Sequence, residues 1–220
     1  MLRPLQEGGA GSTEALEQLC RRYWTPLYGY TRSKGYDHHH SEEIVQDLIS
    51  SFIQRDVFLR VDRQHGRFRS FLLACLKNFL INRQEKLHAQ KRGSGQELCP
   101  LESVDETLIL SQEPALEAYD RAWAQEVFRA SLLQVEAEYR ASGKQGLFDS
   151  LKPFMTGQEP RPDRERLAQQ QGVEVGSIDV AVYRLRRRFG LVMRGMVAQT
   201  VKGPESVDEE LDYLIRILSE

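Results

Sequence analysis

The chain has 220 residues, 40% of them hydrophobic and 28% charged, with a formal net charge of −2. That balance excludes a disordered or collagen-like polymer, and the length accommodates one large domain or two small ones. No stretch approaches the ~20 apolar residues of a membrane span and residues 1–16 lack the apolar run of a secretory signal, so a cytoplasmic, membrane-free location is expected.

Cysteine usage agrees with a reducing compartment. Cys20, Cys75 and Cys99 form no CxxC pair, so neither a disulfide framework nor a thiolate zinc site is indicated. The small net charge hides segregation along the chain. Arg60 to Arg92 holds nine Lys and Arg against two acids, whereas Glu97 to Glu117 holds six acids and no cation, and the stretch after Gly203 is again acidic. A local basic stripe can hold phosphates whatever distant acidic segments do, because exposed charges are screened beyond about 8 Å.

The first predicted helix opens at Ser12 or Thr13 and carries Leu16, Leu19, Cys20, Tyr23, Leu27 and Tyr30 at three- and four-residue steps. Pro26 lies inside it, and Gly35 closes it. Asp37 is positioned to cap a second helix, with Ile44, Val45, Leu48, Ile49 and Phe52 on one face and Glu42, Glu43, Gln46 and Asp47 outside that face. The strongest periodicity follows, from Phe68 through Phe71, Leu72, Cys75, Leu76, Phe79 and Leu80 to Leu87. It predicts a long amphipathic helix with a polar side of Ser70, Ala74, Lys77, Gln84, His88 and Lys91, flanked by Arg67, Asn78, Asn82, Arg83 and Arg92.

Between Gly93 and Pro114 the periodicity fails and Gly, Ser, Pro and acids predominate, which reads as an interdomain linker. A helix bearing Leu116, Tyr119, Trp123, Val127, Leu133 and Tyr139 then runs to Gly143, followed by one with Leu147, Phe148, Leu151, Phe154 and Met155 that stops at Gly157. Asp163 to Gln170, a Gly172 turn and a basic helix from about Val175 to Phe189 give the order of a helix-turn-helix. After Gly203-Pro204 a last amphipathic helix places Val207, Leu211, Leu214, Ile215 and Leu218 on one face. With no strand-like alternation, the expected fold is all-α, in two small helical domains, 12–92 and 115–200, joined by the linker 93–114 and followed by an acidic tail helix over 203–220.

Cations, amides and aromatics interleaved over 66–92 suit an opened nucleic-acid strand, on which bases stack and phosphates pair. The cluster Tyr183-Arg184-Leu185-Arg186-Arg187-Arg188 suits the flank of a major groove. His38, His39 and His40 point about 100° apart on a helix and do not converge on an ion, so no metal and no other cofactor is expected. Neither a nucleophile set nor a phosphate-cradling glycine loop stands out, so enzymatic activity is not expected.

The strings LCRRYWTPLYGYTR, SEEIVQDLISSFI, GRFRSFLLACLKNFLINRQEKLHAQKRG and VAVYRLRRRF, in this order, resemble the extracytoplasmic-function sigma factors of bacterial RNA polymerase over roughly residues 14–200. The resemblance implies a protein that joins core RNA polymerase, directs it to promoter DNA and assists strand opening without catalysing a reaction. It implies that Glu43, Gln46 and Asp47 face the polymerase clamp. It assigns Arg67, Arg69, Lys77, Asn78, Asn82, Arg83, Lys86, His88, Lys91 and Arg92 to promoter melting and recognition. Ser177, Tyr183, Arg184, Arg186 and Arg187 fall on its second recognition helix, and an anti-sigma factor is a possible further partner. The chain departs from the family pattern at Asp179, Val180 and Ala181, where basic or small polar residues are usual, and at Arg164-Glu165-Arg166, where apolar packing is more typical. Two other readings stand beside this one: a helix-turn-helix regulator that binds duplex DNA without polymerase, and a sigma-like interaction protein unable to initiate.

Overall fold

A computed structural model describes residues 10–54, 67–90, 114–157 and 162–219, with the side chains of 10–20 and 86–90 excepted. The described residues are all-α, with no strand among them. The helices are α1 (Ala10–Ser33), α2 (His38–Gln54), α3 (Phe68–Gln90), α4 (Pro114–Ala141), α5 (Gln145–Leu151), the single turn α6 (Pro153–Thr156), α7 (Arg164–Gln171), α8 (Val175–Ala198) and α9 (Pro204–Ser219). Contacts divide the chain into two compact units, one made of Met1–Glu126 with Val197–Glu220 and the other of Val127–Met196, so the divisions fall within α4 and α8. The linker expected at 93–113 lies outside the described residues. Among the described residues no helix is long and apolar enough to cross a membrane.

In the first unit α1 contributes Tyr23, Leu27 and Tyr30 to the core, and α2 contributes Ile44, Val45, Leu48 and Phe52. The α1–α2 turn forms as its residues dictate. Gly35 takes a φ of +92°, and Asp37 caps α2 by accepting the His40 backbone N–H at 2.8 Å. His40 Nδ1 pairs with the other Asp37 oxygen, while His38 meets the Tyr28 hydroxyl, so the histidines serve the turn and first turn of α2. No group of three His, Cys, Asp or Glu among the described residues gathers in a way that holds a metal ion.

The helix α3 is more enclosed than an amphipathic surface helix. Its expected stripe is buried at Phe68, Leu72, Leu76 and Leu80, but Arg69, Leu73 and Ala74 are buried too. Ala74, assigned from the sequence to the polar side, has no exposed surface. Several elements cover α3: Phe52 of α2 stacks on Phe71, Tyr23 of α1 meets Phe68 edge-on, and Tyr119 of α4 donates to the Arg69 carbonyl at 2.9 Å.

The tail helix α9 packs on this unit with its buried face turned slightly from the expected one, which still supplies Val207 and Leu214, with Leu211 and Leu218 half-buried. Val207, Glu210, Leu214 and Ile217 are buried, and Ile215 faces solvent. The rotation carries the Glu210 carboxylate onto Arg67 and Arg69 at the start of α3.

In the second unit Val135, Phe148, Leu151, Leu167, Ile178, Val182, Leu185 and Phe189 are buried. Phe128 meets Phe189 edge-on at a centroid distance of 5.0 Å, and Tyr139 tilts against Phe148. Leu133, expected on the apolar face of α4, is exposed. Asp163 caps α7 by accepting the Glu165 N–H at 2.9 Å, and Gly172 ends it in the left-handed conformation with φ 65°. Three residues later α8 begins, and it runs past the expected end at Phe189 because Val192, Met193, Met196 and Val197 continue the buried stripe.

Candidate nucleic-acid interface

The sequence offers two basic surfaces, and the structure treats them differently. On α3, Arg69 lies in register with Leu72, Leu76 and Leu80 and is only 6% exposed. Its Nε donates to Glu210 at 2.5 Å, its Nη1 donates to Asp120, and its guanidinium lies over the rings of Trp123 and Tyr213. Tyr213 donates to the second Asp120 oxygen, which completes a closed polar cluster in the core of the first unit. Burial opposes the Arg69 charge, but the hydrogen bond and charge of Glu210 with the charge of Asp120 outweigh it and raise the Arg69 pKa. Burial, the Asp120 hydrogen bond and the Asp120 charge together push the Tyr213 phenol up to about 12.

Arg69 is therefore a core cation, enclosed by its own carboxylate and aromatic partners. Arg67 is half-buried and pairs with Glu210 at 2.9 Å and Glu209 at 3.5 Å. Arg83 reaches back to α2, with Nη2 2.6 Å from Glu43 and Nη1 3.3 Å from Asp47. This guanidinium thus neutralises two of the three α2 groups assigned to polymerase, while Gln46 stands exposed beside them. Lys77, Asn78 and Asn82 are half-buried, the side chains of Lys86 and His88 are not described, and Lys91 and Arg92 lie outside the described residues.

The cluster around Arg69 uses Asp120, Glu210 and Tyr213, none of them site candidates from the sequence. The signal was present in the register: Arg69 falls on the apolar line of α3, and Glu210 stands three and four residues from Val207 and Leu214 on α9.

On α8 the residues that meet the core are Ile178, Val182, Leu185 and Phe189, so Gly176, Val180, Tyr183 and Arg187 form the line farthest from it, with Ser177, Arg184 and Leu191 alongside. Tyr183 is 66% exposed, and Ser177, Arg184 and Arg187 are exposed as well. Arg186 is set apart from the others, since its Nη2 donates to the Phe154 carbonyl at 3.0 Å across to α6. Arg188 forks onto Glu138 of α4 at 2.7 and 2.6 Å, and this hydrogen bond, followed by the Arg188 charge, lowers the Glu138 pKa.

Two of the residues at which the sequence departs from the pattern it resembles meet each other. Arg164 Nε on α7 lies 2.9 Å from Asp179 Oδ1 on α8, so the acid that would repel phosphate carries its own counter-charge. Arg164 also covers the Phe154 ring, a role that accounts for a cation where apolar packing was expected. Beside this face an open groove of about 610 Å³ runs between the α4–α5 turn and α8, lined by Tyr139, Leu147, Val180 and Ala181 and by the charged residues Glu138, Lys144, Glu174 and Arg184.

Charge follows the same division. The second unit holds twelve Lys and Arg against eight Asp and Glu, leaving eighteen against twenty-four in the first. Searches of protein-family models, of characterised proteins and of solved structures find no match to this chain.

Proposed function

We propose that the chain is a sigma-like DNA-binding protein of transcription initiation, in which the second unit grips duplex DNA and α2 offers an acidic and amide face to core RNA polymerase. The observation that carries this reading is the solvent-facing line of α8, where Ser177, Tyr183, Arg184 and Arg187 stand exposed on a helix entered through the capped α7 and the Gly172 turn. That order is the helix-turn-helix arrangement, in which the second helix enters the major groove and cations grip the flanking phosphates. The net positive balance of this unit supports it, because phosphate neutralisation dominates the affinity of such proteins.

Contacts to an opened strand fall in this reading to Asn78, Asn82 and the residues beyond them on α3, not to Arg67, Arg69 or Arg83. Polymerase docking falls to Gln46 with the outer oxygens of Glu43 and Asp47. The protein performs no bond chemistry here; the polymerase does.

The engagement of Arg67, Arg69 and Arg83 within the molecule also favours a second reading, a regulator that binds duplex DNA through α7 and α8 and needs no polymerase. One experiment separates the two. Core RNA polymerase is passed over the immobilised full chain, and the retained complex is assayed for run-off transcription from a pool of genomic fragments. Retention with new transcripts supports the sigma reading. DNA binding without polymerase retention supports the regulator, and a complex that starts no transcript identifies an interaction protein unable to initiate.

A further inference from the structure

The apolar residues that interrupt the polar face of α8 are the feature that the DNA-binding reading leaves unexplained. Val180 is half exposed at the centre of the outward line, one turn after Gly176 and one turn before Arg184, and Ala181 sits beside it in the groove wall. Neither side chain donates or accepts a hydrogen bond. A phosphate gains nothing from them, and neither do the amides, carbonyls and ring nitrogens that line the major groove.

One group on the base edges does match them. The thymine C5-methyl is the apolar feature of an unmodified major groove, and small aliphatic side chains are its usual partners. The neighbouring acid that can accept from the cytosine amino group, Asp179, is held by Arg164 at 2.9 Å. The cations needed to press the helix into the groove lie close by. Arg184 and Arg187 follow on the same side of α8, and Lys144 stands across the groove from Arg184; all three are exposed and form no ion pair among the described residues. A second protein would also cover an apolar face, but these three cations outnumber the one acid of the groove that no arginine holds, Glu174, since Glu138 is paired with Arg188, and that balance fits a polyanion better. Gly176 adds access, since a Cβ built there meets nothing within 4 Å.

We infer that α8 reads thymine methyl groups in the major groove through Val180, assisted by Ala181, while Lys144 and Arg184 hold the phosphates of the adjoining strand. This rests on the DNA-binding role of the second unit and adds the base class to it. It also gives the departure of Val180 and Ala181 from the family pattern a physical meaning: specificity by methyl contact in place of hydrogen-bond readout.

The test begins with a duplex selected by the full chain from a randomised pool. That duplex is remade with deoxyuridine in place of thymidine, one position at a time, which deletes only the methyl. Affinity should fall roughly four-fold at a contacted position, the effect of removing one buried methyl-sized group. Val180→Ser, at a half-exposed position that leaves the core of α8 untouched, should bind the thymidine and deoxyuridine duplexes equally and keep the salt dependence of the parent chain. Equal binding of both duplexes by the parent chain overturns the inference, as does a Val180→Ser protein that still distinguishes them. A chain that selects no duplex at all removes the DNA-binding reading itself, a result distinct from selection without a methyl effect. Unchanged DNA affinity in Val180→Ser and Tyr183→Ala together would assign the face to a protein partner and overturn the inference as well.

Discussion

Substituting Glu210→Gln isolates the charge of a carboxylate that is 1% exposed while preserving its shape. The oxygens of Glu210 accept from Arg69 Nε at 2.5 Å and Arg69 Nη2 at 3.4 Å, and form an ion pair with Arg67 Nε at 2.9 Å. The glutamine keeps one acceptor, turns an NH2 toward a guanidinium and leaves the buried Arg69 with Asp120 alone. Breaking a buried pair by removing one partner costs about 3–5 kcal/mol, because the remaining charge stays desolvated. At about 2–4 °C per kcal/mol for a unit of this size, the melting temperature of the first unit should fall by roughly 10 °C. Glu209→Gln is the matched control: Glu209 is 69% exposed and 3.5 Å from Arg67, so its loss should stay below about 1 kcal/mol. Urea unfolding followed by circular dichroism measures both, with an unchanged slope required for the comparison. If Glu210→Gln proved no more damaging than Glu209→Gln, the cluster would not be the electrostatic anchor of α9.

Three further outcomes follow from individual contacts. Asp163→Ala removes the cap of α7 and should destabilise the second unit by about 1 kcal/mol in urea unfolding, with no effect on the first. Because Arg188 depresses the Glu138 pKa, that pair stabilises the fold above the ordinary carboxylate value of 4.5 and its contribution disappears as pH falls through the lowered folded value; Glu138→Gln should flatten this part of the acid limb by under about 1 kcal/mol, less in high salt. Burial pushes the Cys75 thiol from 9.0 up to about 12, so its contribution is whole below pH 9 and is lost as pH rises through the folded value. Stability measured across pH 8–12 should therefore decline less steeply in Cys75→Ala than in the parent chain.

The second unit was legible because its signals are local. Asp163, Gly172 and the spacing of Ile178, Val182, Leu185 and Phe189 each act within one or two helical turns, and α7 and α8 begin where those residues require. The sequence places the end of α8 near Phe189, but the helix runs on through Gly190 to Ala198. A helical glycine costs about 1 kcal/mol, less than burying Val192, Met193, Met196 and Val197 returns, so the helix continues.

The first basic surface was legible as a segment but not as a site. Charge counting over 60–92 assumes that cations face solvent, whereas the acids that neutralise Arg69 stand 51 and 141 residues away. No local window contains them. The same separation hid the inward turn of Glu210 on α9, whose valine and leucines otherwise mark its buried face.

The claim that α8 carries the nucleic-acid surface is tested most directly by the salt dependence of duplex affinity in the parent chain and in the paired variant Arg184→Gln, Arg187→Gln. Each phosphate contact contributes about −0.9 to the log–log slope on duplex DNA, so the variant should bind more weakly with a slope shallower by about 1.8. An identical slope in both proteins would contradict the account, because the exposed arginines of α8 would then touch no phosphate.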